Sequence, residues 1–164
     1  EVRRRVLGEE HPDTLSSRNN LASVLRDLGR LAEAEAEHRA VLEVRRRVLG
    51  EEHPDTLSSR NNLASVLRDL GRLAEAVAEH RAVLEICRRV LGEEHPDTLS
   101  SRNNLAGVLR DLGRLAEAVA EHRAVLEICR RVLGEEHPHT LSSRNNLASV
   151  LRDLGRLEES QVLE

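Results

Sequence analysis

The chain has 164 residues, with 25 basic and 29 acidic side chains and a formal net charge of −4. Every basic residue is arginine, and Phe, Tyr, Trp and Met are absent. These features exclude an aromatic stacking platform for single-stranded nucleic acid, and arginine runs followed at once by glutamate, as in RRRVLGEE, argue against a basic face for a duplex. No apolar run approaches the ~20 residues that cross a bilayer, and no signal peptide opens the chain, so it reads as a soluble, cytoplasmic protein with no membrane partner.

In chain order, residues 1–8 (EVRRRVLG) match residues 43–50 and lack an initiating Met. The chain therefore reads as a piece of a longer array that starts inside a repeat. The stretch HPDTLSSRNNLASVLRDLGRLAEA begins at His11 and returns nearly unchanged at His53, His95 and His137, every 42 residues. Self-similarity at such a period is the signature of a solenoid, in which each unit buries its apolar stripe only against its neighbours. The repeats fall at about 1–42, 43–84, 85–126 and 127–164, the last truncated, in a single array.

A first helix is predicted near 12–28. Leu15, Arg18, Leu21, Ala22, Leu25 and Leu28 recur at three- and four-residue steps. Pro12 suits its first position, Asp13 suits the positive end of the dipole, and Gly29 suits its close. A second helix follows near 31–49, with Leu31, Ala34, His38, Val41, Leu42, Arg45 and Val48 on one stripe and Arg45, Arg46 and Arg47 near its negative end. The link Gly29-Arg30 is too short for anything but an antiparallel hairpin. The same pair is predicted near 54–70 and 73–91, then near 96–112 and 115–133, and a further first helix near 138–154. Half-helices are expected at both ends. The closing QVLE departs from the repeat, and Leu163-Glu164 reads as a vector remnant. No strand-like alternation survives, so the fold class is all-α.

These residues resemble the tetratricopeptide repeat in its 42-residue, kinesin-light-chain-like form. The likeness rests on Leu21, Ala22, Leu25, Gly29 and Ala34 with their later counterparts, and on the phrase RRVLGEEHPDTL followed by NNLA. It covers essentially the whole chain. The family's aromatic positions hold Arg18, Leu25, Leu31 and His38, which implies smaller side chains and closer helix approach. The resemblance implies a right-handed α-solenoid of stacked antiparallel helix pairs. Its concave wall, lined by first helices, would bind an extended peptide or partner protein.

The first-helix face away from the apolar stripe carries Ser16, Asn19, Asn20, Ser23, Arg26 and Asp27. By similarity to light-chain arrays, Asn20, Asn62, Asn104 and Asn146 should point into the groove, where an amide offers a donor and an acceptor to a peptide backbone. The alternative is that these amides bond neighbouring helices. Ser23, Ser65, Arg26, Arg68 and Arg110 complete the candidate groove set. Arginine alternates with aspartate along it, so neither acidic nor basic ligands are strongly selected. The carboxylate clamp of some relatives is disfavoured, because its places hold Asn19, Ser23, Ser100 and Asn104, with Asn62 the one match.

No enzyme, cofactor or metal is expected. A catalytic site needs a nucleophile, a base and an orienting group that converge. His11, His53, His95 and His137 precede proline, where they cap or pack, and His38, His80 and His122 read as core histidines. His137 and His139 are two candidate metal ligands without a third. Cys87 and Cys129 occupy the place of Arg45, expected to be partly buried and inert, and their 42-residue spacing reflects duplication rather than a disulfide. A spacer or self-assembling array, from recent expansion or consensus design, is the rival to a binding module. The ends expose apolar stripes, so head-to-tail self-association is expected.

Overall fold

A computed structural model describes residues 8–163. Its helices are α1 (Pro12–Asp27), α2 (Leu31–Leu49), α3 (Pro54–Asp69), α4 (Leu73–Leu91), α5 (Pro96–Asp111), α6 (Leu115–Leu133), α7 (Pro138–Asp153) and α8 (Leu157–Leu163). There is no strand among the described residues. The half-helix expected at residues 1–7 lies outside them.

Each helix boundary has a local cause. His11, His53, His95 and His137 are N-caps whose Nδ1 accepts the backbone N–H two residues on, each at 3.2 Å. This places an imidazole where Ser or Asp more often satisfies an orphan donor. Proline occupies the next position, where a missing N–H costs nothing. At the other end of α1, Gly29 has φ 75°. Its N–H donates to the Arg26 carbonyl at 2.9 Å, and the Arg30 N–H reaches the Leu25 carbonyl at 2.8 Å. This Schellman closure turns the chain directly into α2, and the same pair of bonds recurs at Gly71, Gly113 and Gly155.

The helices group into two compact units, the first ending at Glu79 and the second beginning at His80 within α4. In the first, α1 packs on α2 and α2 on α3, with Leu25, Ala34 and Val66 in one cluster and Leu70 against it. In the second, α5 packs on α6, α6 on α7 and α7 on α8. Leu105, Val108, Leu109, Val125, Leu126, Leu147, Val150 and Leu151 are buried there. Burying each such side chain contributes roughly 1.5–3 kcal/mol. Ala22, Ala64, Ala106 and Ala148 are buried too, and a methyl group there keeps neighbouring helices close.

Three expectations about burial are corrected. Leu21 and Leu28, assigned to the buried stripe of α1, are exposed, because no described helix covers that face. Val66, Val108 and Val150, which the stripe omitted, are buried in the later first helices. Arg45 is not a tolerant, half-open site: it is 5% exposed, and Cys87 and Cys129 in the equivalent places are buried free thiols.

Candidate peptide-binding groove

Asn19 and Asn20 are adjacent, yet a helix turns about 100° per residue, so their amides meet different surroundings. Asn19 Oδ1 accepts from Nδ1 of His38 at 3.0 Å, and Asn103 Oδ1 accepts from Nδ1 of His122 at 3.1 Å. Asn19 therefore ties α1 to α2 and is not an open groove residue. Its role is legible only after the fact, from a His standing 19 residues downstream in each of the first three copies. His38, His80 and His122 are all buried, as core histidines. Burial, reinforced by the charge of Arg110, pushes His122 down to about 4. His38 moves the same way through burial and the charge of Arg26, with Glu37 opposing.

The second amide is different. Asn20 on α1, Asn104 on α5 and Asn146 on α7 are exposed, and Asn62 on α3 is half-buried. None of these four amides forms a hydrogen bond among the described residues. Beside them, the hydroxyl of Ser23 donates to the Asn19 carbonyl at 3.2 Å and that of Ser65 to the Asn61 carbonyl at 3.0 Å. Their protons are committed, and only lone pairs remain for a ligand.

The candidate arginines are also engaged. Nε of Arg26 donates to Asp69 on the next first helix of its unit, and Arg110 does the same to Asp153. Asp69 holds the Arg26 guanidinium above its ordinary value, chiefly through that hydrogen bond. Arg68 is exposed and is not a free cation. The rungs are locally neutral, and they space the first helices rather than presenting open positive charge.

In the second unit a cavity of ≈380 Å³ lies among α5, α6 and α7. Leu99, Val125, Ile128, Cys129, Val132 and Leu133 give it an apolar lining; Glu94, Ser100, Asn103, His139, Ser142, Ser143 and Asn146 are its polar groups. It joins an open amide, Asn146, to apolar surface, a combination that suits peptide recognition. Leu99, Val125 and Val132 stand at places the sequence assigns to apolar stripes, as counterparts of Leu15, Val41 and Val48, but nothing in the sequence marks them as lining a shared cavity. His137 and His139 stack with ring centroids 5.4 Å apart, and no group of three or more metal-ligating side chains occurs among the described residues.

The model of the Tetratricopeptide repeat matches residues 13–78, 55–120 and 99–163. The chain belongs to the tetratricopeptide repeat family. It is similar to nearly identical TPR-like repeats assigned to a kinesin light chain of Podosopora anserina. That crystal structure and a second one of a variant form are 32% identical, cover 99% of this chain and 77% or 76% of theirs, and superpose with TM-scores of 0.87 and 0.88. BtubC (BKLC) from P. vanneervenii shares the fold at 22% identity and TM-score 0.81, over 93% of this chain and 61% of that one. No curated protein matches the chain. The tetratricopeptide chain is thus a protein-interaction or scaffold module, not an enzyme, and its all-α stack of antiparallel pairs is the family's solenoid fold. No helix among the described residues is long and apolar enough to cross a membrane.

Proposed function

We propose that the first helices bind an extended protein segment, gripping its backbone through Asn20 and Asn62 in the first unit and Asn104 and Asn146 in the second. The observation that carries this reading is a contrast within the amide pairs of α1 and α5. Asn19 and Asn103 are bonded to histidine, whereas Asn20 and its counterparts have no partner among the described residues. An amide repeated at equivalent places meets successive stretches of a peptide with the same donor and acceptor, whatever the peptide's side chains. Neutral Arg–Asp rungs beside the amides leave no strong selection by charge.

The test begins with extended peptides selected from a random library on the intact chain. Asn104→Ala combined with Asn146→Ala should weaken the selected peptide by roughly 5- to 150-fold, since each lost hydrogen bond costs about 0.5–1.5 kcal/mol. The helical melt should not change. An unaltered Kd with an unaltered melt would move the weight to a spacer.

A second reading, self-assembly, is favoured by two apolar faces left open. Leu21, Val24 and Leu28 of α1 are exposed, and a ≈750 Å³ cavity is lined by Leu126, Leu147, Leu151, Val162 and Leu163, with charged side chains around them. In the first unit, Val66 and Leu70 pack on Leu25 and Ala34. Their counterparts, Val24 and Leu28 of a second copy, would seat in the same way against Leu151 and α8. Sedimentation should give a mass that rises with concentration, and Val24→Arg should abolish the rise. A concentration-independent monomer contradicts this docking.

A further inference from the structure

The junction between α2 and α3 shows how this repeat accommodates a guanidinium. Arg45 reaches from α2 across to α3, where Nη1 donates to the Asp55 carbonyl at 3.0 Å and to Oγ of Ser59 at 2.8 Å. The side chain is almost wholly buried. Two repeats later the same three positions are Cys129, His139 and Ser143. The carbonyl and the hydroxyl remain, now joined by a bond of 2.8 Å from Ser143 Oγ to the His139 carbonyl. The arginine is gone, and Cys129 Sγ lies 3.7 Å from Ser143 Oγ. Cys129, His139 and Ser143 all line the ≈380 Å³ cavity of the second unit. An acceptor set that binds a guanidinium at one junction therefore faces open volume at another.

We propose that this cavity is a socket for an arginine side chain of the bound segment. The inference rests on the groove reading for how the arginine arrives, but the recognition chemistry is the socket's own. The Ser143 hydroxyl and the His139 carbonyl accept the guanidinium N–H groups, as Ser59 and Asp55 do for Arg45. The apolar residues Val125 and Ile128 cover the methylene stem. His139 replaces the aspartate of the other copies and brings a planar ring to the cavity, already stacked on His137. A planar cation can stack on that face, which a compact ammonium cannot. Glu94, which also lines the cavity and pairs with Arg131 at 2.6 Å, adds a carboxylate at the rim. A water occupies only about 30 Å³ of liquid volume, so the space takes a side chain rather than a single solvent molecule.

Cys129 in the lining supplies the readout. In a Cys87→Ala chain, the rate at which a small neutral thiosulfonate reagent modifies Cys129 is measured with N-acetyl-arginine amide, and with the lysine and leucine equivalents. The arginine probe should slow the reaction about tenfold at ten times its Kd. The lysine and leucine probes at the same concentration should slow it far less, and Ser143→Ala should weaken the arginine effect. No protection by arginine, or equal protection by lysine or leucine, overturns the socket. As an independent arm, Cys129→Arg should raise the thermal midpoint, because the chain's own guanidinium would then fill the space; a lowered midpoint contradicts it. Neither arm uses a peptide or the Asn104 and Asn146 amides. Failure here leaves the groove reading standing, and failure of the groove reading leaves this result intact.

Discussion

Helices α1 and α3 have the same sixteen residues, PDTLSSRNNLASVLRD, the same His N-cap and the same Schellman closure. Their burial is nevertheless opposite on one face. Leu21 of α1 is 51% exposed and its counterpart Leu63 is 1% exposed; Val24 is 52% exposed and Val66 is fully buried. Identical sequence thus gives identical local structure and different packing. The cause is the preceding hairpin: α2 lies against α3 on the face that α1 leaves open, and Val66 clusters with Leu25 of α1 and Ala34 of α2. In a stacked repeat, a residue's role belongs to its place in the stack as much as to its letter.

The strongest way to break that comparison is a matched pair of truncations. Leu63→Ala should cost about 2–5 kcal/mol, the range for emptying a packed leucine site, while Leu21→Ala should cost well under ~1 kcal/mol. Chemical denaturation of both variants checks this, and equal losses would show that α1 is covered in solution.

The second helices extend the comparison to titration. His122 in α6 is held neutral by burial, with a native value of about 4 against an ordinary 6.5. The unfolded chain therefore binds a proton more readily. The contribution is fully present above pH 6.5 and is lost as pH falls from there to about 4, by roughly 3 kcal/mol at most. His122→Leu should flatten that part of the stability–pH curve. His38→Leu should act in the same direction, since burial also lowers His38.

The smallest effect concerns the rungs. Asp69 accepts from Arg26 and Asp153 from Arg110, whereas Asp27, the α1 counterpart, forms no ion pair among the described residues. Asp69→Asn should cost about 0.2–1 kcal/mol and less at high salt, and Asp27→Asn should be neutral. Thermal melts at two salt concentrations separate these outcomes.

Helix positions were legible because their signals are local: a proline at each start, a glycine at each stop and a 3.6-residue stripe between them. The N-terminal histidines were legible as caps or packing groups for the same reason. Val66 and its counterparts were not, because the residue beside a stripe is buried only when the next repeat's geometry widens that stripe. The place of Arg45 reads as half-open because arginine and cysteine share it across the copies; its depth stayed hidden because the acceptors of Arg45, Asp55 and Ser59, lie on another helix. The candidate groove was legible in part. Sequence reading marked both Asn19 and Asn20 as polar surface, but only the position of His38 separates the bonded amide from the open one. The cavity was not legible within a single repeat, because α5, α6 and α7 contribute its lining together.

The central claim is that the open amides grip a peptide's backbone rather than its side chains. A selected peptide is N-methylated one residue at a time, and Kd is measured against the intact chain and against Asn146→Ala. At the contacting residue, methylation should weaken binding to the intact chain by an amount close to the asparagine loss, and should add little once Asn146 is alanine. Methylation that is harmless at every position, or that adds fully to Asn146→Ala, would contradict the account.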